Sequence, residues 1–283
     1  MRNGMIMSNS REVKNPYKDF CNGAAAGALG GVADVVFCYP FFGRKIHEQI
    51  QTTKITPCFS LFRSYQGALI YGAVIIPSTA VMYGITNASQ SFLPKDKSYD
   101  MKSAVAGGVL SGFLSGILTT PLTNILAQRK LNPTLTSRNA FQALRAQGGW
   151  KRLYFGFTPN SIGDGIFSIG AFCGVPKAKE YLIKKCEFSA YQAHFLASLI
   201  AGSFAAFVSH PADTTATFMG ANGISSTPKA IKEIFKKNSL YGFYPGLFWR
   251  TAYIASSILA VSTTVDATNA YIEETQKGKK FKL

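Results

Sequence analysis

Acidic residues are scarce in this 283-residue chain, and long parts of it carry no charge of either sign. There are 14 Asp and Glu against 30 Lys and Arg, giving a formal net charge of +16. Residues 64–94, 103–128 and 188–212 contain no Asp, Glu, Lys or Arg. The five cysteines are odd in number and form no Cys-x-x-Cys pair, which excludes a disulfide frame or a paired-cysteine zinc site. No nucleophile–base pair, metal-ligand cluster or glycine-rich phosphate loop is found. The chain therefore does not read as an enzyme, and no cofactor is expected. The first 18 residues are polar and lack the apolar stretch of a secretory signal. Basic residues lie between the apolar runs without an interleaved aromatic stripe. Anionic lipid head groups, rather than nucleic acid, are their expected counterpart.

Each uncharged run reaches the roughly 20 residues needed to cross the hydrocarbon of a bilayer. Three further runs do so with a single charge: 20–43 with Asp34, 157–176 with Asp164 and 240–265 with Arg250. Six candidate spans result. The mean hydropathy of +0.10 is low for helices wholly in lipid and suits helices with one face on a watery cavity.

The spans repeat. Gly27 and Gly31 stand 13 and 9 positions before Pro40; Gly108 and Gly112 stand likewise before Pro121, and Ser198 and Gly202 before Pro211. A small-xxx-small face lets membrane helices approach closely, and a proline at its far end removes a backbone hydrogen bond and kinks the helix. An aromatic-x-Gly turn follows each proline, ending at Gly67, Gly156 and Gly246. Residues 137–147 and 227–237 have the apolar spacing of short amphipathic helices. The expected fold is an all-α membrane protein, with six transmembrane helices in three tandem helix–surface helix–helix repeats and pseudo-threefold symmetry. The divisions are a polar tail at 1–19, repeats at 20–98, 99–187 and 188–274, and a basic tail at 275–283. Lys and Arg are near-equally shared between the two sides, so they give no orientation.

Three repeats, proline-ended odd helices, surface helices and aromatic-x-Gly turns together resemble the mitochondrial carrier family over about residues 20–274. That family follows each odd-helix proline with Pro-x-acid-x-x-base. Here the acid and base slots hold Phe42 and Lys45, then Thr123 and Leu126, then Asp213 and Ala216. Two of six charges survive, and the resemblance pairs them: Asp213 with Lys45 as a matrix gate, braced by Gln49. At the opposite gate the charged slots hold Asn87 and Gln90, Pro176 and Lys179, and Val265 and Thr268. Alignment of the aromatic-x-Gly turns places Val74, Gly163 with Asp164, and Tyr253 at the family's three substrate contact points, with Arg250 one turn before Tyr253. The glycines 67, 156 and 246 fall where carriers hold cardiolipin at helix N-termini.

Ionisable residues inside spans are costly and usually face a cavity. Asp34 and Asp164 can hold a cationic group, Arg250 a carboxylate or phosphate, and Gly163 leaves room for a flat ring. His47, His194 and His210 fall near span ends and read as interfacial. The resemblance implies a monomeric, multi-pass carrier of the mitochondrial inner membrane, working by alternating access. The consecutive arginines of ADP/ATP exchangers after the fifth-helix proline are absent: 215–220 reads TATFMG. The short first repeat with Asp34 is similar to S-adenosylmethionine carriers. The expected substrate is a nucleotide or nucleotide-like cofactor (ATP/ADP or S-adenosylmethionine class), with an amino acid as alternative. The divergence also fits a carrier encoded by an intracellular pathogen. The lost gate charges leave a second reading open, a degenerate carrier fold acting as a membrane receptor or insertion factor. A long polar cavity favours the carrier; a collapsed or side-open one favours the receptor.

Overall fold

The computed structural model describes residues 15–50, 65, 67–91, 101–132 and 134–280. Among these residues every regular element is helical. The tail at 1–14, the surface helix of the first repeat, the polar link at 93–97 and the last three residues lie outside them.

The first odd helix is two pieces, α1 (Pro16–Phe37) and α2 (Tyr39–Ile50). Asn15 caps α1, its side chain accepting from the Tyr17 and Lys18 amides. The helix thus begins inside what the sequence marks as tail. The helical run breaks at Cys38, two residues before Pro40. Pro121 and Pro211 act differently. Each lies inside one continuous helix, α4 (Met101–Leu131) and α8 (Ala190–Asn222). Near them Thr120 donates to the Gly116 carbonyl and Ser209 to that of Ala205, so these side chains bond within their own helices.

The first even helix is α3 (Ala68–Ser91). The second is interrupted: α6 (Phe157–Ile169) passes through a π turn, Gly170–Gly174, into α7 (Val175–Cys186). Pro176 has no N–H to offer the carbonyl four residues back, and the wider turn precedes it directly. The third is α10 (Leu247–Lys280), which carries into helix part of the basic tail expected from residue 275. Surface helix α5 (Ser137–Leu153) loses helical geometry at Gly148 and Gly149, so its first part ends where the amphipathic pattern does. The other surface helix, α9, spans Thr227–Asn238. Among the described residues, by length and apolarity alone, four helices qualify to cross a membrane: α1, α3, α4 from Gly108, and α8. The π turn divides the α6–α7 span.

The small residues of each odd helix pack on its own even helix. A Cβ on Gly27 would lie 2.5 Å from the Thr79 carbonyl, and Gly112 sits directly against Gly165. A Cβ on Gly202 would approach Ala255 Cα to 3.2 Å. Lipid tails are as apolar as the helices, so close van der Waals fit replaces the hydrophobic effect as the cohesive force. Contacts of α1 with α10, α3 with α4, and α6 with α8 close the pairs into a ring.

The aromatic-x-Gly turns place left-handed glycines at the heads of the even helices, with φ of 103° at Gly67, 85° at Gly156 and 75° at Gly246. Gly156 and Gly246 also sit against the next odd helix: a Cβ would come within 2.7 Å of the Ala216 carbonyl or 3.0 Å of that of Lys45.

Gly27→Val should cost about 1–3 kcal/mol by overpacking, read as a melting temperature several degrees lower in mild detergent. Gly165→Ala, whose Cβ meets nothing within 4 Å, should leave that temperature unchanged or raise it.

Candidate functional site

Where α2, α8 and α10 meet, one carboxylate gathers two cations. Asp213 Oδ1 lies 3.0 Å from Lys45 Nζ and 2.6 Å from Arg250 Nη1. Gln49 Nε2 donates to Asp213 Oδ2 at 2.5 Å and to the Thr214 hydroxyl at 3.3 Å, and its own carbonyl accepts from Thr217. Arg250 Nη2 donates to Ser209 at 2.8 Å. Lys45 rests 4.7 Å from the Phe42 ring centroid, a cation–π contact. All three ionic groups are buried. Outside this network, Trp249 donates to Glu48, tying α2 to the head of α10.

The joints around the rest of the ring use other means. Between α2 and α4 the contact is apolar, with Phe42, Ile46, Leu122 and Leu126 in one cluster with Tyr39 and Tyr71. Between the second and third repeats the bonds run to backbone: Arg152 Nη2 donates to the Gly220 carbonyl at 2.7 Å and Gln128 to that of Ala221 at 3.4 Å. Burial holds the Arg152 guanidinium, on its surface helix, below its ordinary pKa.

A cavity begins at this network. Lys45, Asp213 and Arg250 line one end, and Tyr83 and Val261 lie farther along its walls. From Arg250 to Val261 it follows α10 for roughly 16 Å at 1.5 Å per residue. Asp34 and Asp164 line it as well. Asp34 Oδ2 accepts from Tyr71 at 2.6 Å, and Tyr71 in turn is 2.8 Å from the Tyr253 hydroxyl. With the Tyr71 proton directed at Asp34, Tyr253 is the donor in the second bond. Asp164 Oδ2 accepts from Thr119 at 3.0 Å, with Ser115 at 3.4 Å and Asn160 at 3.5 Å. Residues 163–165 are continuous helix, so Gly163 and Gly165 do not break it around Asp164.

Of the residues expected to touch a substrate, Asp34, Asp164, Arg250 and Tyr253 line the cavity together. Val74 and Gly163 are not among its walls. Val74 packs on the apolar cluster of Tyr39 and Tyr71. Gly163 faces α8, where a Cβ would be 3.7 Å from the Ser209 carbonyl. Arg250, expected on the cavity wall as an anchor for a carboxylate or phosphate, is bonded to Asp213. Its distance in sequence from that partner hid the pairing, and only the contact of α8 with α10 reveals it. The histidines on α8 are not interfacial either: His194 is buried and bonds with Ser262, and His210 is fully buried with Nε2 2.9 Å from the Pro245 carbonyl. Tyr71, which links Asp34 to Tyr253, was not singled out; its aromatic ring inside an apolar run gave no signal of the carboxylate opposite.

Removing one member of a buried pair leaves an uncompensated charge, at a cost of about 3–5 kcal/mol. Asp213→Ala strands two cations together and should give the largest loss of unfolding stability in detergent. Lys45→Met leaves Asp213 with Arg250 and Gln49 and should cost less. The double variant should be non-additive; additive losses would rule out the pairing.

The family model described as mitochondrial carrier protein matches residues 98–186 and 188–275, more than half of the chain. No curated protein is significantly similar to it. Members of that family are transmembrane solute transporters rather than enzymes, and the apolar helices suit a multi-pass membrane protein. The match spans the second and third repeats, which supply Asp213, Asp164 and Arg250; the chain belongs to the mitochondrial carrier family.

Proposed function

We propose that the chain moves a nucleotide-like cofactor across the mitochondrial inner membrane by alternating access, with the cavity as its central binding site and three repeats, 20–98, 99–187 and 188–274, rocking about it. The observation that carries this reading is a cavity lined from all three repeats, with charged and hydroxyl side chains set among apolar walls and the Asp213 network at one end. A collapsed or side-open interior would have favoured the receptor reading. In this frame the network is the matrix gate, and the conformation described is the one open on the opposite side.

Charge supports one cofactor class over the other. Lys45 and Arg250 are both engaged by Asp213. The polyphosphate of ATP or ADP therefore finds no uncommitted cation among the charged residues lining the cavity, where Asp34 and Asp164 remain. S-Adenosylmethionine, with a sulfonium and an amino group, fits this balance better. An amino acid is the second reading, favoured by the same carboxylates.

Purified protein in cardiolipin-containing liposomes should take up labelled S-adenosylmethionine saturably and ATP poorly. Asp164→Ala and Arg250→Ala should each lower uptake about tenfold or more, as expected for loss of a desolvated charged contact. No uptake of any nucleotide, cofactor or amino acid by folded protein would sink the carrier reading in favour of the receptor.

Cardiolipin is the proposed lipid partner of the monomer. Three helix heads with left-handed glycines, at Gly67, Gly156 and Gly246, offer backbone N–H groups and the positive end of a helix dipole to phosphate. A ligand that binds only the folded state stabilises it by about 2.7 kcal/mol at a hundred times its dissociation constant. Titrating cardiolipin should therefore raise the melting temperature in a saturable way, whereas phosphatidylcholine should not.

A further inference from the structure

We propose that the cavity seats a cationic group, with Asp34 and Asp164 as its counter-charges and the Tyr253 ring on its wall. The carrier reading supplies only the route by which the ligand enters; the seat itself follows from the charges.

Among the described residues five ionisable side chains line the cavity: Asp34, Asp164 and Asp213 against Lys45 and Arg250. Both cations are within 3.0 Å of Asp213, so the network by itself carries one positive charge. Asp34 and Asp164 have no ion pair among the described residues. Asp34 is 1% exposed, and its Oδ1 makes no hydrogen bond of normal geometry, although the Ser257 hydroxyl and the Cys38 thiol lie close to the carboxyl. Its Oδ2 is already held by Tyr71. A carboxylate inside a membrane span without a counter-charge is costly, and a ligand cation would supply what the protein omits.

The second observation is aromatic. Tyr71 and Tyr253 are joined through their hydroxyls, and the Tyr71 hydroxyl bonds Asp34, so carboxylate and rings form one unit. Tyr71 donates its proton to Asp34 and receives one from Tyr253, which fixes both hydroxyls. The neighbouring Phe42 ring, 4.7 Å from Tyr71 and 5.3 Å from Tyr253, already carries the Lys45 ammonium. Phe42 is thus committed, and Tyr71, 1% exposed, is packed between it and Tyr39, so Tyr253 is the half-buried ring on the cavity wall. Aromatic faces beside a carboxylate recognise soft organic cations such as quaternary ammonium and sulfonium groups. Asp164 lies on the opposite helix pair and turns only Oδ2 to its hydroxyl and amide partners, so the ligand can be held from two sides.

The test uses the full-length chain in lipid nanodiscs and two matched pairs of probes. S-Adenosylmethionine and S-adenosylhomocysteine differ by one methyl and one positive charge. Choline and its uncharged carbon isostere dimethylbutanol differ by the charge alone, with a quaternary nitrogen in place of carbon. The cationic member of at least one pair should raise the melting temperature, with an apparent affinity tenfold or more above its neutral partner. Asp34→Asn should erase that preference. Asp164→Asn and Tyr253→Leu should weaken it, and they keep the test decisive if Asp34→Asn does not fold. A choline response without any adenosyl response would retain the cation seat and remove the cofactor reading. Equal responses to both adenosyl compounds would retain the cofactor and overturn the seat. The seat also falls if no probe shifts the melting temperature, if Asp34→Asn and Asp164→Asn leave the cationic preference intact, or if the melting temperature follows pH with no preference for cationic probes.

Discussion

One buried carboxylate holds three helices together at the closed end of the molecule. Asp213 on α8 binds Lys45 of α2 and Arg250 of α10, and Gln49 takes up its other oxygen. Two cations this close repel each other, and in a medium of low dielectric that repulsion is strong. Only the shared carboxylate makes the arrangement tolerable. Everything else at this end is arranged around that point: Phe42 supports the lysine, Ser209 orients the guanidinium, and Trp249 with Glu48 fixes the approach of α10 to α2.

The seal is therefore lopsided. A ring with three equivalent repeats would be expected to close with three equivalent joints. Here one joint is ionic, one is a cluster of apolar and aromatic side chains, and one is a pair of side chains reaching backbone carbonyls. Replacement of the acid and base slots at Phe42, Thr123, Leu126 and Ala216 removes charges without leaving them unpaired. Buried ion pairs exchanged for well-packed apolar contacts often cost little or nothing. The loss of four signature charges is thus compatible with a closed, stable end.

Much of this was legible from spacing. The repeat of small residues, proline and aromatic-x-Gly located the odd helices, and the packing of Gly27, Gly112 and Gly202 shows what those positions do. Lys45, Gln49 and Asp213 were placed by the family resemblance, which assigns slots after each proline. What failed were statements that needed rotation about a helix axis. Successive residues on a helix are about 100° apart, so a small error of register across an alignment moves a residue from the cavity to a neighbouring helix. Val74 and Gly163 were displaced in this way, whereas Asp164, next to Gly163, faces inward. Arg250 was found on the cavity wall without its partner Asp213, because sequence order says nothing of which carboxylate lies opposite. The π turn before Pro176 was equally hidden, since a proline in a helix can be accommodated by a break, as near Pro40, or by a continuous helix, as at Pro121 and Pro211.

The charge balance of the cavity bears on when it can close. Three carboxylates and two cations leave an empty, fully ionised cavity with one net negative charge. In the proposed carrier cycle, an end open to solvent lets water and counter-ions answer that charge. Closing that end removes the water, and the desolvation of an uncompensated charge inside the protein costs several kcal/mol. A bound ligand with one positive charge brings the sum to zero before closure begins. Occlusion is then favoured with cargo and opposed without it, and the preference needs no contact beyond the carboxylates already on the wall. In the proposed cycle the Asp213 network, acting as a gate, obeys the same rule. Opening the end at Asp213 separates it from Lys45 and Arg250, and the separated charges regain water from the newly opened side. A carrier with a single ionic joint must undo fewer such contacts than one with three, so more of the control over its cycle falls to the charge of what it carries.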